Sequence, residues 1–192
     1  MDPLFWRHLS SLAWLVFLAY WILSARKLKT IKQREPSTER IVYILIIASA
    51  YVLLFSDGVN FGALDRRLVP DSTLLGVLGV MLSFLGVGFA IWARKHLGEN
   101  WSATVTLKKG HELIRTGPYR RVRHPIYSGM LLGMAGAALA LGEIRGLVAF
   151  VVAVISFYVK ARKEERFLFA EFGPAFAEHA RSTGMFLPRL SS

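Results

Sequence analysis

Five long blocks of apolar residues restrict the fold of this chain more than any other feature of its sequence. A helix that crosses a bilayer core about 30 Å thick needs roughly 20 mostly apolar residues. Blocks of about this length cover residues 9–25, 41–55, 74–93, 126–141 and 147–159, the second and fifth with the help of flanking residues. The sequence therefore predicts an all-α integral membrane protein with about five transmembrane helices. We expect one domain over residues 1–192, with three helices in 1–93 and two in 94–192.

The charged residues indicate how these helices cross the membrane. The formal net charge is +11, a value that by itself also fits a nucleic-acid-binding protein. Lysine and arginine, however, concentrate in residues 26–40, 94–123 and 160–189, whereas the segments between are acidic or nearly balanced. This alternation follows the positive-inside rule. It predicts an N-terminus outside the cell, a C-terminus in the cytoplasm, and contacts with membrane lipids and not with nucleic acid.

Several kinds of site find no support in the sequence. The chain has no cysteine, which excludes disulfides, thiolate ligands and a cysteine nucleophile. Its five histidines show no helical pairing, so we expect no metal site. Neither a Gly-x-Ser-x-Gly elbow nor a Gly-x-Gly-x-x-Gly loop occurs. The remaining candidate is a site built from hydrogen bonds and ring stacking.

Residues 111–127, HELIRTGPYRRVRHPIY, gather polar and aromatic side chains at the start of the fourth block. A glycine–proline pair at Gly117 predicts a turn, and Pro125 suits the first turn of a helix. His124 would then lie near the N-cap, where free N–H groups and the helix dipole favour a carboxylate, with Tyr127 one turn further along. Alternatively, these side chains only anchor the helix at the membrane surface. Arg120, Arg121 and Arg123 would then bind lipid headgroups, and Tyr119 and Tyr127 would belong to an aromatic belt.

A second charged cluster, KARKEER, follows the fifth block at residues 160–166. No helix breaker occurs before Gly173, so the fifth helix should continue beyond the membrane and bring this cluster against the first one. Glu164 and Glu165 have two interpretations that the sequence does not separate. They form either a solvated turn of helix, or a carboxylate site for a cation, such as a sulfonium, or for the hydroxyls of a cofactor.

Three runs of sequence together resemble one known family. HLGENWSA (96–103), GHELIRTGPYRRVRHPIY (110–127) and KEERFLFAEFG (163–173) are similar to the isoprenylcysteine carboxyl methyltransferases and their small prokaryotic relatives. The resemblance covers the C-terminal half of the chain. It implies a five-span enzyme that binds S-adenosylmethionine (SAM) at the cytoplasmic face, releases S-adenosylhomocysteine, and methylates a carboxylate on a lipid-anchored substrate that enters from the bilayer. A prokaryotic inner membrane is the expected location.

The resemblance also implies roles for individual residues. A cytoplasmic C-terminal helical segment would close the cofactor site through Glu164. The residues expected to bind the cofactor are Thr104, His111, Glu112, Leu113, Ile114, Tyr119, Arg123, His124, Pro125, Ile126, Tyr127 and Glu164. Lys160 and Glu164 are the residues expected to act in catalysis.

Lys160 is the position at which the chain departs from this family. About one turn before the paired glutamates, the family usually has an arginine that holds the substrate carboxylate. Lysine keeps the charge but loses the bidentate geometry of the guanidinium group. Either Lys160 binds the carboxylate as a point charge, or the acceptor is not an isoprenylcysteine.

Three other functions remain open at this point. A phospholipid or amine N-methyltransferase would need a base to keep its acceptor neutral, and Glu164 or Glu165 would be the candidate. A non-catalytic protein would use the same site to bind lipid or a partner. An NADPH-dependent membrane reductase would carry out hydride chemistry and would not bind SAM.

Overall fold

Six helices make up most of the structure, a computed structural model that describes residues 3–24, 31–34, 37–98, 101, 106–108 and 113–189. The helices are α1 Pro3–Ser24, α2 Ser37–Phe55, α3 Thr73–Leu97, α4 Pro125–Leu141, α5 Ile144–Phe172 and α6 Pro174–Ser182. Short 3₁₀ turns cover Gly62–Asp65 and Gly117–Arg120. The described part of each predicted apolar block lies within one of the first five helices, and α5 continues past the apolar part as the sequence predicts.

The mostly helical class is confirmed, with one addition that corrects the strictly all-α prediction. Strand β1, Ile31–Arg34, pairs with β2, Thr106–Lys108, in an antiparallel two-stranded sheet. Both strands lie in the basic segments 26–40 and 94–123, for which the sequence predicts no strand. Strands of three and four residues are too short for an alternating pattern to be recognised. The pairing joins segments that lie more than 70 residues apart, as in Arg34 opposite Thr106.

Among the described residues, two helices, α3 and α5, have the length and the apolar composition needed to cross a membrane. The apolar helices Ile41–Phe55 and Pro125–Leu141 are shorter. It therefore remains a prediction that five helices cross the membrane, and so does the direction in which each crosses.

Small residues allow α3 and α4 to pack with their backbones in close contact. A Cβ atom added to Gly86 would lie 2.2 Å from the backbone nitrogen of Gly133, and one added to Gly79 would lie 2.7 Å from the carbonyl oxygen of Gly136. The hydroxyl of Ser83 on α3 also donates to the carbonyl oxygen of Gly133 on α4 (3.3 Å). Small residues at a helix interface let the two backbones approach closely, and these glycines serve that packing.

A tight turn joins α4 to α5 and fixes the two helices as a hairpin. Gly142 ends α4 in the left-handed conformation (φ +69°), which glycine adopts without strain. The guanidinium group of Arg145 contacts Glu143 (2.6 Å) and donates to the carbonyl oxygens of Leu53 and Ser56 at the end of α2 (3.2 and 3.1 Å). With this end fixed, the start of α4 and the polar part of α5 lie together at the other end.

Candidate active site

The two predicted clusters meet where the first turn of α4 lies against the polar part of α5. The Tyr127 hydroxyl donates a hydrogen bond to Oε1 of Glu164 (2.6 Å). Nδ1 of His124 lies 3.4 Å from the other oxygen of the same carboxylate. Glu164 is therefore held by two side chains that the sequence analysis assigned to the site, and only 22% of its side chain is exposed.

His124 lies between both glutamates and is buried. Its second ring nitrogen, Nε2, lies 3.3 Å from Oε1 of Glu165. A ring nitrogen that faces a carboxylate oxygen is stabilising only when it carries a proton, so the two contacts favour the imidazolium form. Burial alone would lower the pKa of His124, but the interactions with Glu164 and Glu165 outweigh it, and the pKa lies above its ordinary value.

A stack of three rings supports this arrangement. The His124 ring lies parallel to the Tyr127 ring at a centroid distance of 5.6 Å, with 8° between the ring planes. The Tyr127 ring also stacks on the ring of Phe157 on α5, with 5.0 Å between the centroids and 7° between the planes. Phe157 is fully buried in the helical core. The polar site therefore rests on the core, and the ring orientations are set by packing.

Glu165 contacts a different part of the molecule from its neighbour Glu164. Its carboxylate accepts a hydrogen bond from Nε of Arg123 (2.6 Å). The same arginine donates to the carbonyl oxygens of Ala180 and Thr183 at the end of α6 (3.2 and 2.5 Å). Arg123, which was expected to bind the cofactor, therefore contacts groups of the protein. It links Glu165 to the C-terminal segment.

The ammonium group of Lys160 lies above two aromatic rings at the edge of the site. Its distance to the ring centroid is 4.5 Å for Tyr43 on α2 and 5.8 Å for Tyr127. Both are within the range of a cation–π interaction. Tyr43 was not predicted as part of the site, since one tyrosine in an apolar helix is an ordinary interfacial residue.

Three of the other expected residues form an apolar wall beside the stack. Tyr119 and Ile126 are buried in a cluster with Trp101, and Ile114 packs against this cluster. Pro125 is fully buried, as its position in the first turn of α4 predicts. Leu113 is half-buried, while Thr104, His111 and Glu112 lie outside the described residues. Within the part of the chain that the structure describes, no group of side chains is suited to hold a metal ion.

Residues 183–187 form a C-terminal strap that the sequence analysis missed. The backbone N–H groups of Arg123 and His124 donate to the carbonyl oxygens of Gly184 and Met185 (2.9 and 3.1 Å). The hydroxyl of Ser128 donates to the carbonyl oxygen of Phe186 (2.6 Å). A strap of this kind carries no local signal, because its hydrogen bonds are made by backbone groups of a distant segment.

Comparison with known proteins identifies the family. A model of the phospholipid methyltransferase family matches residues 74–175, more than half of the chain. The cobalt-zinc-cadmium resistance protein CzcN of Cupriavidus metallidurans is 37% identical over 124 residues, which are 63% of this chain and 54% of that protein. The protein-S-isoprenylcysteine O-methyltransferase of Saccharomyces cerevisiae is 28% identical over 184 residues, 90% of this chain and 74% of the enzyme.

A solved structure has a similar fold. It is the eukaryotic intramembrane Ras methyltransferase ICMT, with a TM-score of 0.59 and 22% identity, over 80% of this chain and 53% of that one. The chain thus spans about half the length of CzcN and of this structure. The resemblance to the isoprenylcysteine carboxyl methyltransferases is confirmed, and the chain belongs to the phospholipid methyltransferase family.

Proposed function

We propose that this chain is a membrane methyltransferase that transfers a methyl group from SAM to the carboxylate of a lipid-anchored or amphiphilic acceptor. The observation that carries this proposal is the buried carboxylate of Glu164, held by Tyr127 and His124 at one end of the α4–α5 hairpin. When bound there, SAM would supply an electrophilic methyl group on a positively charged sulfur. Family membership and the yeast relative support the same reaction class.

Three features of the described residues fit this cofactor. Glu164 provides a negative charge for the sulfonium. No side chain caps the first turn of α4, and its N–H groups without a carbonyl partner inside the helix are those of Ile126 and Tyr127, which suit the cofactor's carboxylate. Ile114, half-buried where it packs on the cluster of Tyr119 and Ile126, offers apolar surface for an adenine ring. Thr104, His111 and Glu112 are proposed to complete the site.

Lys160 is proposed to bind the acceptor carboxylate. Its ammonium group lies on the α2 side of Tyr127, one helical turn from Glu164, so opposite charges flank the same ring. A carboxylate is ionised at neutral pH and needs no general base to attack the methyl group. The contribution of the protein is then to align the reacting groups and to remove water, and alignment alone can lower a barrier by about 7–11 kcal/mol.

Five transmembrane helices with the site at the cytoplasmic face of a prokaryotic inner membrane remain part of this proposal. The basic segments 26–40, 94–123 and 160–189 support that orientation. An acceptor anchored in the bilayer would then reach Lys160 from the lipid.

Transfer to the amine of a phospholipid is a second candidate, which the description of the matching family model favours. An amine acceptor must lose a proton before it attacks. Glu164 is the proposed base in that case, because Glu165 is engaged by Arg123.

Binding of S-adenosylhomocysteine to the purified protein tests the cofactor assignment. Isothermal titration should give saturable binding to the wild type. Glu164→Gln keeps the size of the side chain but removes the charge, and we expect a loss of affinity of roughly 10–100-fold for a buried charge-assisted contact. Glu171→Gln, an exposed position on the same helix, is the matched control and should bind normally. Equal affinities for wild type and Glu164→Gln would refute the role of Glu164.

A further inference from the structure

The C-terminal strap is attached to the start of α4 by backbone hydrogen bonds on both sides of Gly184. The N–H of Gly184 donates to the carbonyl oxygen of Arg121 (3.2 Å), and the carbonyl oxygen of Gly184 accepts from the N–H of Arg123 (2.9 Å). Together with the Met185 and Phe186 carbonyl contacts, these bonds define the register of the strap. They decide which strap side chain faces the site.

The side chain that faces the site is Phe186. Its ring lies edge-on to the ring of His124 (6.2 Å between centroids, 65° between planes) and to that of Tyr127 (6.5 Å, 72°). Between neutral rings such as those of Phe186 and Tyr127, a contact of this kind is favourable because the positive edge of one ring meets the negative face of the other. The side chain of the neighbouring Leu187 is 77% exposed.

Phe186 is linked to Glu164 more directly than Arg123 is. Arg123 donates to Glu165 and to the carbonyl oxygen of Thr183, and it reaches Glu164 only through Glu165 and His124. The rings of His124 and Tyr127 both contact Glu164, and Phe186 touches both rings. A tilt of either ring would change the hydrogen bonds that orient this carboxylate.

We propose that Phe186 is a positioning residue of the methyl-transfer site, which holds the rings of His124 and Tyr127 in the parallel stack that orients Glu164. The inference rests on the proposed function. Phe186 itself does not need to contact the cofactor or the acceptor. Its effect is carried by the two rings, so an aromatic side chain is required and not merely an apolar one.

Substitutions that separate ring contact from burial test this role. Phe186→Leu keeps most of the apolar volume, Phe186→Tyr keeps the ring, Phe186→Ala removes both, and Leu187→Ala is the control at the exposed neighbour. The affinity for S-adenosylhomocysteine and the unfolding temperature are measured for each purified full-length variant. We expect the Leu and Ala variants to bind about tenfold more weakly, from the loss of two edge-to-face contacts. The Tyr variant should restore affinity, and Leu187→Ala should match the wild type.

Two results would overturn the inference while leaving the proposed function intact. The first is wild-type affinity in Phe186→Leu. The second is a loss of affinity that follows the loss of unfolding temperature across all variants, which would make Phe186 an ordinary packing residue. If Phe186→Ala does not fold, the Leu and Tyr variants decide the question. Absence of binding to the wild type itself would refute the proposed function and this inference with it.

Discussion

Glu164 and Glu165 are adjacent in the sequence and both contact His124, but each has a second partner of its own. Glu164 accepts a hydrogen bond from Tyr127, whereas Glu165 accepts one from Arg123, which also donates to a carbonyl oxygen near the end of α6. Successive residues on a helix point about 100° apart, so neighbours seldom have the same set of partners. The sequence left the roles of the two glutamates open, and the structure distinguishes them through Tyr127 and Arg123.

His124 should make the stability of the protein depend on pH. Contacts with Glu164 and Glu165 raise its pKa above the ordinary value near ~6.5, despite burial. The stabilisation is complete below that value and is lost as the pH rises through the folded-state pKa. We expect the unfolding temperature in detergent to fall above pH ~6.5, and to fall less in His124→Gln. His179, whose pKa is lowered mainly by burial, titrates at lower pH and does not mimic this effect. If the unfolding temperatures of the wild type and of His124→Gln depend on pH in the same way, His124 is not charged as described.

Lys160 should affect the acceptor and not the cofactor. Lys160→Ala is expected to keep the affinity for S-adenosylhomocysteine and to abolish methyl transfer to an isoprenylcysteine analogue. Lys160→Arg should retain transfer or increase it, because arginine keeps the charge above the rings of Tyr43 and Tyr127 and adds a bidentate contact. The measurement is the initial rate of methyl transfer by the wild type, Lys160→Ala and Lys160→Arg. Full activity of Lys160→Ala would rule out the carboxylate-binding role.

The packing of α3 on α4 can be tested with two glycines of the same helix. A Cβ atom at Gly86 would meet the α4 backbone at 2.2 Å, whereas one at Gly88 has no neighbour within 4 Å. Gly86→Ala should therefore separate the helices and destabilise the protein by about 1–3 kcal/mol, the usual cost of overpacking. Gly88→Ala should be neutral or stabilising by up to ~1 kcal/mol, since alanine favours a helix. Thermal unfolding in detergent distinguishes the two, and equal unfolding temperatures would contradict the close packing.

Elements that depend on local patterns could be predicted, and those that depend on distant pairing could not. The lengths of the apolar blocks predicted the five long helices, and Pro125 predicted the first turn of α4. The pairing of β1 with β2 and the bonds between the strap and residues 121–128 join segments far apart in the chain. A local pattern holds no information about which distant backbone a segment will meet.

The same distinction holds for the site as a whole. His124, Tyr127 and Glu164 come together as expected, because two polar clusters at the adjoining ends of a helical hairpin must be neighbours. Tyr43 and Phe186 were missed. Each is an ordinary aromatic residue in its own segment, and only the packing of α2 and the strap against the hairpin gives it a position at the site.

Transfer of a labelled methyl group is the most direct test of the proposed reaction. The protein in lipid vesicles is incubated with methyl-labelled SAM and either an isoprenylcysteine analogue or phosphatidylethanolamine, and the product is then treated with base. A methyl ester releases its label as methanol, whereas an N-methyl group does not. We expect label in the isoprenylcysteine analogue that base releases, and none with Glu164→Gln. Base-stable label in the phospholipid, or no incorporation by a folded protein that binds S-adenosylhomocysteine, would contradict carboxyl methylation.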